Sequence, residues 1–216
     1  MTTPIAVLLS GRGSNFLALH RAIESGDLPA RIVLVLSNRE NAPGIAAAED
    51  LGLPTAVLPH KLEPDRASHE AKVLAALRTS RAQWVCLAGY MRILSSDFVD
   101  AFPRRILNVH PSLLPSFPGV DAQRQALEHG VRVSGCTVHL VDGGLDSGPI
   151  VEQRVVQVLS DDTTDSLSAR ILEQEHRAYP SALGRLLTEP WHVVGRALVF
   201  ANGEGSASAK KPTSRG

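Results

Sequence analysis

The chain has 216 residues, a length that suits one α/β domain with a sizeable core and leaves little room for a second. Lysine plus arginine and aspartate plus glutamate number 22 each, so nothing in the charge calls for nucleic acid or an anionic membrane as partner. Any phosphate must be held by local geometry. No apolar run reaches the roughly 18 residues of a membrane span, and no basic segment precedes the first one, which reads as a cytoplasmic protein.

Residues 4–9 form an apolar run that ends in Ser10-Gly11-Arg12-Gly13-Ser14-Asn15, followed by Phe16, Leu17, Leu19 and Ile23 at helical spacing. That is strand, glycine turn, helix. The pattern repeats as strand 32–36 and helix 43–51, strand 55–58 and helix 65–78, strand 84–88 and helix 95–102, then a fifth strand at 106–109. Alternating βα units with runs rich in Val, Ile and Leu predict a Rossmann-like α/β fold, its mainly parallel sheet covered by helices on both faces. Cys86 and Cys136 sit inside such runs and read as buried thiols rather than a disulfide or metal ligands.

After Pro111 the rhythm changes to a proline-rich loop through Gly119, a helix near 122–129, and two longer strands, 132–141 and 150–158, forming a hairpin closed by the loop 142–149. A helix over 164–187 and a small C-terminal antiparallel hairpin over 191–200 complete the expected domain, residues 1–200. Gly, Ser, Ala, Lys and Pro dominate from Ala201 onward, which predicts a disordered tail.

Three segments carry chemistry. The turn Gly11 to Asn15 opens a helix, where free N–H groups and the positive dipole end suit a phosphate. It lacks the Gly-Lys-Ser/Thr of a Walker loop, and Phe16 stands where a dinucleotide fingerprint has its third glycine. The plainer reading is a turn with Ser14 or Asn15 as helix cap. At the end of the fifth strand, Asn108 and His110 share one face because strand side chains alternate with a period of two. Asn can donate to a developing oxyanion and His can carry protons near neutral pH.

Asp146, in a tight loop, either caps its turn or, within reach of His110, favours the imidazolium. His139 reads as a packed histidine that can line the same cleft. His110, His139 and Asp146 are a type of set that holds zinc, but no close His/Cys spacing supports a metal, and none is expected. The stretch Ala88 to Leu94 leaves the fourth strand at the same sheet edge and suits a flat heteroaromatic ligand. Its alternative is ordinary core for Met91, Ile93 and Leu94.

Taken in order and at their spacing, the Gly-x-Gly-Ser-Asn turn, Ala-Gly-Tyr-Met-Arg-Ile-Leu, Asn-Val-His-Pro-Ser-Leu-Leu-Pro and Leu-Asp-x-Gly-Pro resemble the folate-dependent phosphoribosylglycinamide formyltransferases of purine biosynthesis. The resemblance runs from about residue 4 to 200 and implies the formyltransferase fold. It also implies two small-molecule substrates, 10-formyltetrahydrofolate as co-substrate and glycinamide ribonucleotide, with neither nucleic acid nor membrane as partner. Gly13, Ser14 and Asn15 would then hold the ribonucleotide phosphate, and Glu175 would contact the same substrate. Arg66 and Met91, Arg92, Ile93 and Leu94, with Asn108, would frame the folate, and Asn108, His110 and Asp146 would form the catalytic trio.

One departure stands out: after Pro118-Gly119 the family often has a histidine, whereas here the chain reads Val120-Asp121-Ala122-Gln123. Methionyl-tRNA formyltransferase and formyltetrahydrofolate hydrolase share parts of the pattern but would bring an RNA-binding or a regulatory domain. The sequence leaves oligomeric state open, and a homodimer is compatible with it.

Overall fold

The computed structural model describes residues 2–201; the expected tail falls, apart from Ala201, outside the described residues. The elements are β1 (Thr3–Leu9), α1 (Ser14–Glu24), β2 (Ala30–Ser37), α2 (Pro43–Asp50), β3 (Thr55–Val57), α3 (Arg66–Thr79), β4 (Trp84–Leu87), α4 (Ser96–Ala101) and β5 (Ile106–His110). They are followed by α5 (Ala122–Glu128), β6 (Val133–Leu140), β7 (Ile150–Gln157), α6 (Thr164–Thr188), β8 (Trp191–Val194) and β9 (Ala197–Phe200).

The nine strands among the described residues join one open sheet in the order β3-β2-β1-β4-β5-β6-β7-β9-β8. The first five are parallel, as short βα crossovers require. From β6 onward pairing is antiparallel, save a single parallel contact between β7 and β9. The order reverses between β1 and β4, where crossovers leave to opposite sides and the carboxyl ends of strands open a crevice.

Alternation along β1 divides the interior into two layers. Ile5, Val7 and Leu9 face a core built with Phe16 and Leu19 of α1 and Ile171, Tyr179 and Leu183 of α6. Ala6 and Leu8 face a smaller core with Val73 and Leu77 of α3 and Phe98 of α4. Cys86 and Cys136 are buried free thiols, and desolvation pushes both up to about 12, so neither is a ready nucleophile.

The long helix α6 begins at a reciprocal cap, the Thr163 and Ser166 side chains each accepting the other's backbone N–H. Its Tyr179 hydroxyl lies 2.9 Å from the Leu107 carbonyl and 3.1 Å from that of Leu87. This fully buried contact fixes the height of α6 against β4 and β5, and with it the place of Glu175, one turn earlier.

Candidate active site

The glycine turn does not use the cap expected of Ser14 or Asn15. Gly13 itself is the N-cap of α1, in the left-handed region at φ 75°, and no side chain caps the helix. A β-carbon there would meet the Gly44 backbone at 3.0 Å, so α2 presses the turn from behind. With no side-chain cap, the first N–H groups of α1 are left for an anion, and no acidic residue in the first turn opposes one.

Asn15 points away from the turn and donates through Nδ2 to Glu175 Oε2 at 2.7 Å. Both residues are 7% exposed, and Asn15 Oδ1 is buried with no partner. Burial pushes the Glu175 carboxyl up to about 7, against the opposing pull of the Asn15 amide. Two residues from opposite ends of the chain therefore build one polar pocket wall with an acceptor unspent. A separate groove of about 660 Å³ between α1 and α6 is lined by Ala18, Arg21, His176, Arg177 and Gly184, and includes neither residue.

Asn108, His110 and Asp146 come together at the end of β5. The imidazole of His110 is buried; its Nε2 donates to the Phe117 carbonyl at 2.8 Å, and its Nδ1 faces Asp146 Oδ2 across 3.4 Å. Both ring nitrogens therefore face oxygen acceptors. Asp146, itself in the left-handed region, accepts the Gly119 N–H through Oδ2 at 2.9 Å.

Two loops hold this arrangement. The loop after β5 is pinned to β6 by Thr137, whose hydroxyl donates to the Ser112 carbonyl at 2.7 Å and accepts the Leu114 N–H at 3.0 Å. The loop carrying Asp146 is tied by Asp142, which accepts from Gly144 N and Ser147 Oγ. At Gly148 a β-carbon would stand 1.8 Å from the Leu140 carbonyl oxygen, so only glycine lets the loop return to β7 this closely.

His139 is both a packed histidine, 2% exposed, and a part of the cluster. It lies opposite Asn108 in the β5–β6 register. Its Nδ1 is 3.0 Å from the Leu140 carbonyl and can only donate there, so Nε2 is the acceptor for Asn108 Nδ2 at 3.1 Å. Desolvation holds its basicity down, ahead of opposing contributions from Leu140 and Asp146. His139 is thus a neutral ring, and the 3.7 Å approach of Asp146 Oδ1 to its Nε2 is proximity rather than an ion pair. One Asn108 amide hydrogen is spent on His139 and the other is left for a ligand. Among the described residues no group of three or more His, Cys, Asp or Glu is arranged to hold a metal.

The segment after β4 is not ordinary core at two of its expected positions: Met91 and Ile93 are each 64% exposed, while Arg92 and Leu94 are half-buried. Two exposed apolar side chains on a carboxyl-edge loop suit an apolar ligand face. Arg66 opens α3 and is exposed; no hydrogen bond or ion pair ties it to the trio. In the segment without the family's histidine, Val120 is exposed and Asp121 precedes α5, paired with Arg124.

Two contributors escaped sequence reading. The Phe117 carbonyl and the Gly119 N–H are main-chain groups with no residue-type signature. His139 had a signal, its alternation with Thr137 and Val141, but that signal also fits simple packing.

A model of the family described as formyl transferase matches residues 3–183. The chain is 38% identical over 182 residues to the phosphoribosylglycinamide formyltransferase of Bacillus subtilis, covering 84% of this chain and 93% of that protein. It is 46% identical over 184 residues to the trifunctional purine biosynthetic protein adenosine-3 of Drosophila pseudoobscura pseudoobscura, of whose length it spans 14%. Among solved structures, glycinamide ribonucleotide transformylase 1 from Symbiobacterium toebii superposes with a TM-score of 0.90 at 43% identity, covering 92% of this chain and 94% of that one.

Proposed function

Since the chain belongs to the formyl transferase family, we propose that it transfers the formyl group of 10-formyltetrahydrofolate to the glycyl amine of glycinamide ribonucleotide, as a cytoplasmic enzyme of purine biosynthesis. The observation that carries this reading is the convergence at one sheet edge of an uncapped helix N-terminus, the Asn15–Glu175 pair and the cluster Asn108, His110 and Asp146. An anion seat beside a proton-handling group is what a phosphorylated amine substrate needs.

The Gly13, Ser14 and Asn15 turn takes the ribonucleotide phosphate, and Glu175 with the free Asn15 Oδ1 meets its hydroxyl groups. Met91 to Leu94 take the apolar face of the folate, with Arg66 toward its anionic end. The amine attacks the formyl carbon and the carbonyl oxygen becomes an oxyanion. The unspent Asn108 amide hydrogen donates to it, and a protonated His110, its ring held between the Phe117 carbonyl and Asp146, stabilises it by its charge. As the carbonyl re-forms, the bond from carbon to folate nitrogen breaks. A proton lost by the amine replaces it there, carried by a water that Asp146 orients, so formyl-ribonucleotide and tetrahydrofolate result without a covalent enzyme intermediate.

The test is to follow an isotopically labelled formyl carbon. Label should pass to the ribonucleotide; label appearing as free formate instead would make the protein a hydrolase and contradict the proposal.

A further inference from the structure

At the switch point between β1 and β4, one small side chain joins the two substrate loops. Ser10 follows β1 and precedes the glycine turn. Its N–H donates to the Gly89 carbonyl at 3.1 Å, and its hydroxyl oxygen accepts the Met91 N–H at 2.8 Å. The hydroxyl proton goes to Asn38 Oδ1 at 2.5 Å, just past the end of β2. Ser10 is 3% exposed and Asn38 1%. The chain of bonds continues to His60, whose Nδ1 lies 2.9 Å from the Asn38 carbonyl.

Met91 itself is largely exposed, so its own side chain packs too little to hold the loop. The Ser10 hydroxyl is the group that fixes its amide, and Asn38 is what aims that hydroxyl, because a hydroxyl donating to Asn38 turns its lone pairs toward Met91. We infer that Ser10, aimed by Asn38, is a positioning residue for the formyl donor: it holds the segment Met91 to Leu94 at a set distance from the glycine turn. The inference rests on the formyl-transfer reading for its substrate. The geometry of the relay does not.

The experiment compares wild type with Ser10→Ala, Asn38→Ala, the double variant and Ser10→Thr, which keeps the hydroxyl. Steady-state constants are measured for each substrate, together with hydrogen exchange at the Met91 amide. Ser10→Ala should raise the donor KM about tenfold, the scale of one lost buried hydrogen bond, and leave the ribonucleotide KM within about twofold. The double variant should be no worse than Ser10→Ala alone, since both changes cut one relay. Ser10→Thr should restore the donor KM, and Met91 exchange should quicken only where the hydroxyl or its aim is lost.

If Ser10→Ala fails to fold, Asn38→Ala carries the same expectation. An active wild type with an unchanged donor KM in these variants, or additive effects in the double, would overturn the inference while leaving the formyl-transfer reading standing. A wild type that transfers no formyl group would overturn that reading, and unchanged Met91 exchange in Ser10→Ala would then overturn the relay.

Discussion

Asn15 and Glu175 stand 160 positions apart in the chain and 2.7 Å apart in space, a buried amide donating to a buried carboxyl whose proton is held up to about 7. Such a raised carboxyl binds its proton more tightly in the folded state than in the unfolded one, whose value is 4.5. Its contribution is therefore fully present below that value and is lost as pH rises through about 7. Glu175→Gln should flatten this dependence and be more stable than wild type at pH 8 by up to about 3 kcal/mol, with ribonucleotide binding weakened. Denaturant titrations at pH 5 and pH 8 check it; parallel wild-type and variant curves would contradict the burial argument.

His139→Ala removes the acceptor that holds one Asn108 amide hydrogen. The amide should then rotate freely, and turnover should fall roughly tenfold, the scale of a misdirected hydrogen-bond donor. The ribonucleotide KM should not move, because His139 is on β6, three strands away from β1 and the glycine turn that follows it. A change confined to that KM would show that His139 serves the other substrate.

Most of the fold could be read in the sequence because its signals are local. The apolar run before Gly11, the helical spacing of Phe16, Leu19 and Ile23, and the alternation around Asn108 and His110 each span a few residues, and the structure places all of them as expected. Asn108, His110 and Asp146 were each legible as candidates. What was not legible is long-range or main-chain. Nothing near Glu175 says that it meets Asn15, and nothing at Phe117 marks its carbonyl as the acceptor for His110. The cap expected of Ser14 or Asn15 failed for a physical reason: Gly13 takes the cap position, and the Asn15 side chain is drawn to Glu175 instead.

Gly148→Ala tests whether the loop bearing Asp146 needs its close return to β7. The added methyl would press on the Leu140 carbonyl, so the loop must move, carrying Asp146 from His110. We expect a loss of about 1–3 kcal/mol in stability and a larger proportional loss of turnover. Thermal melts and steady-state rates on the same samples separate the two; full turnover in a destabilised variant would show that Asp146 keeps its place by other means.

His110→Ala and Asp146→Ala should leave folded proteins whose formyl transfer is down at least about 100-fold, the contribution of a general acid–base group. In the proposed mechanism each group faces the reacting centre, and neither belongs to the two apolar cores, so circular dichroism should be unchanged while rates collapse. Near-wild-type turnover in either would remove that residue from the catalytic assignment.

The most direct measurement is folate release from 10-formyltetrahydrofolate, followed by absorbance, with and without glycinamide ribonucleotide. The account predicts release that depends on the ribonucleotide, one folate per formylated product. Release at the same rate without it would mean that water takes the place of the amine and would contradict the proposed transfer.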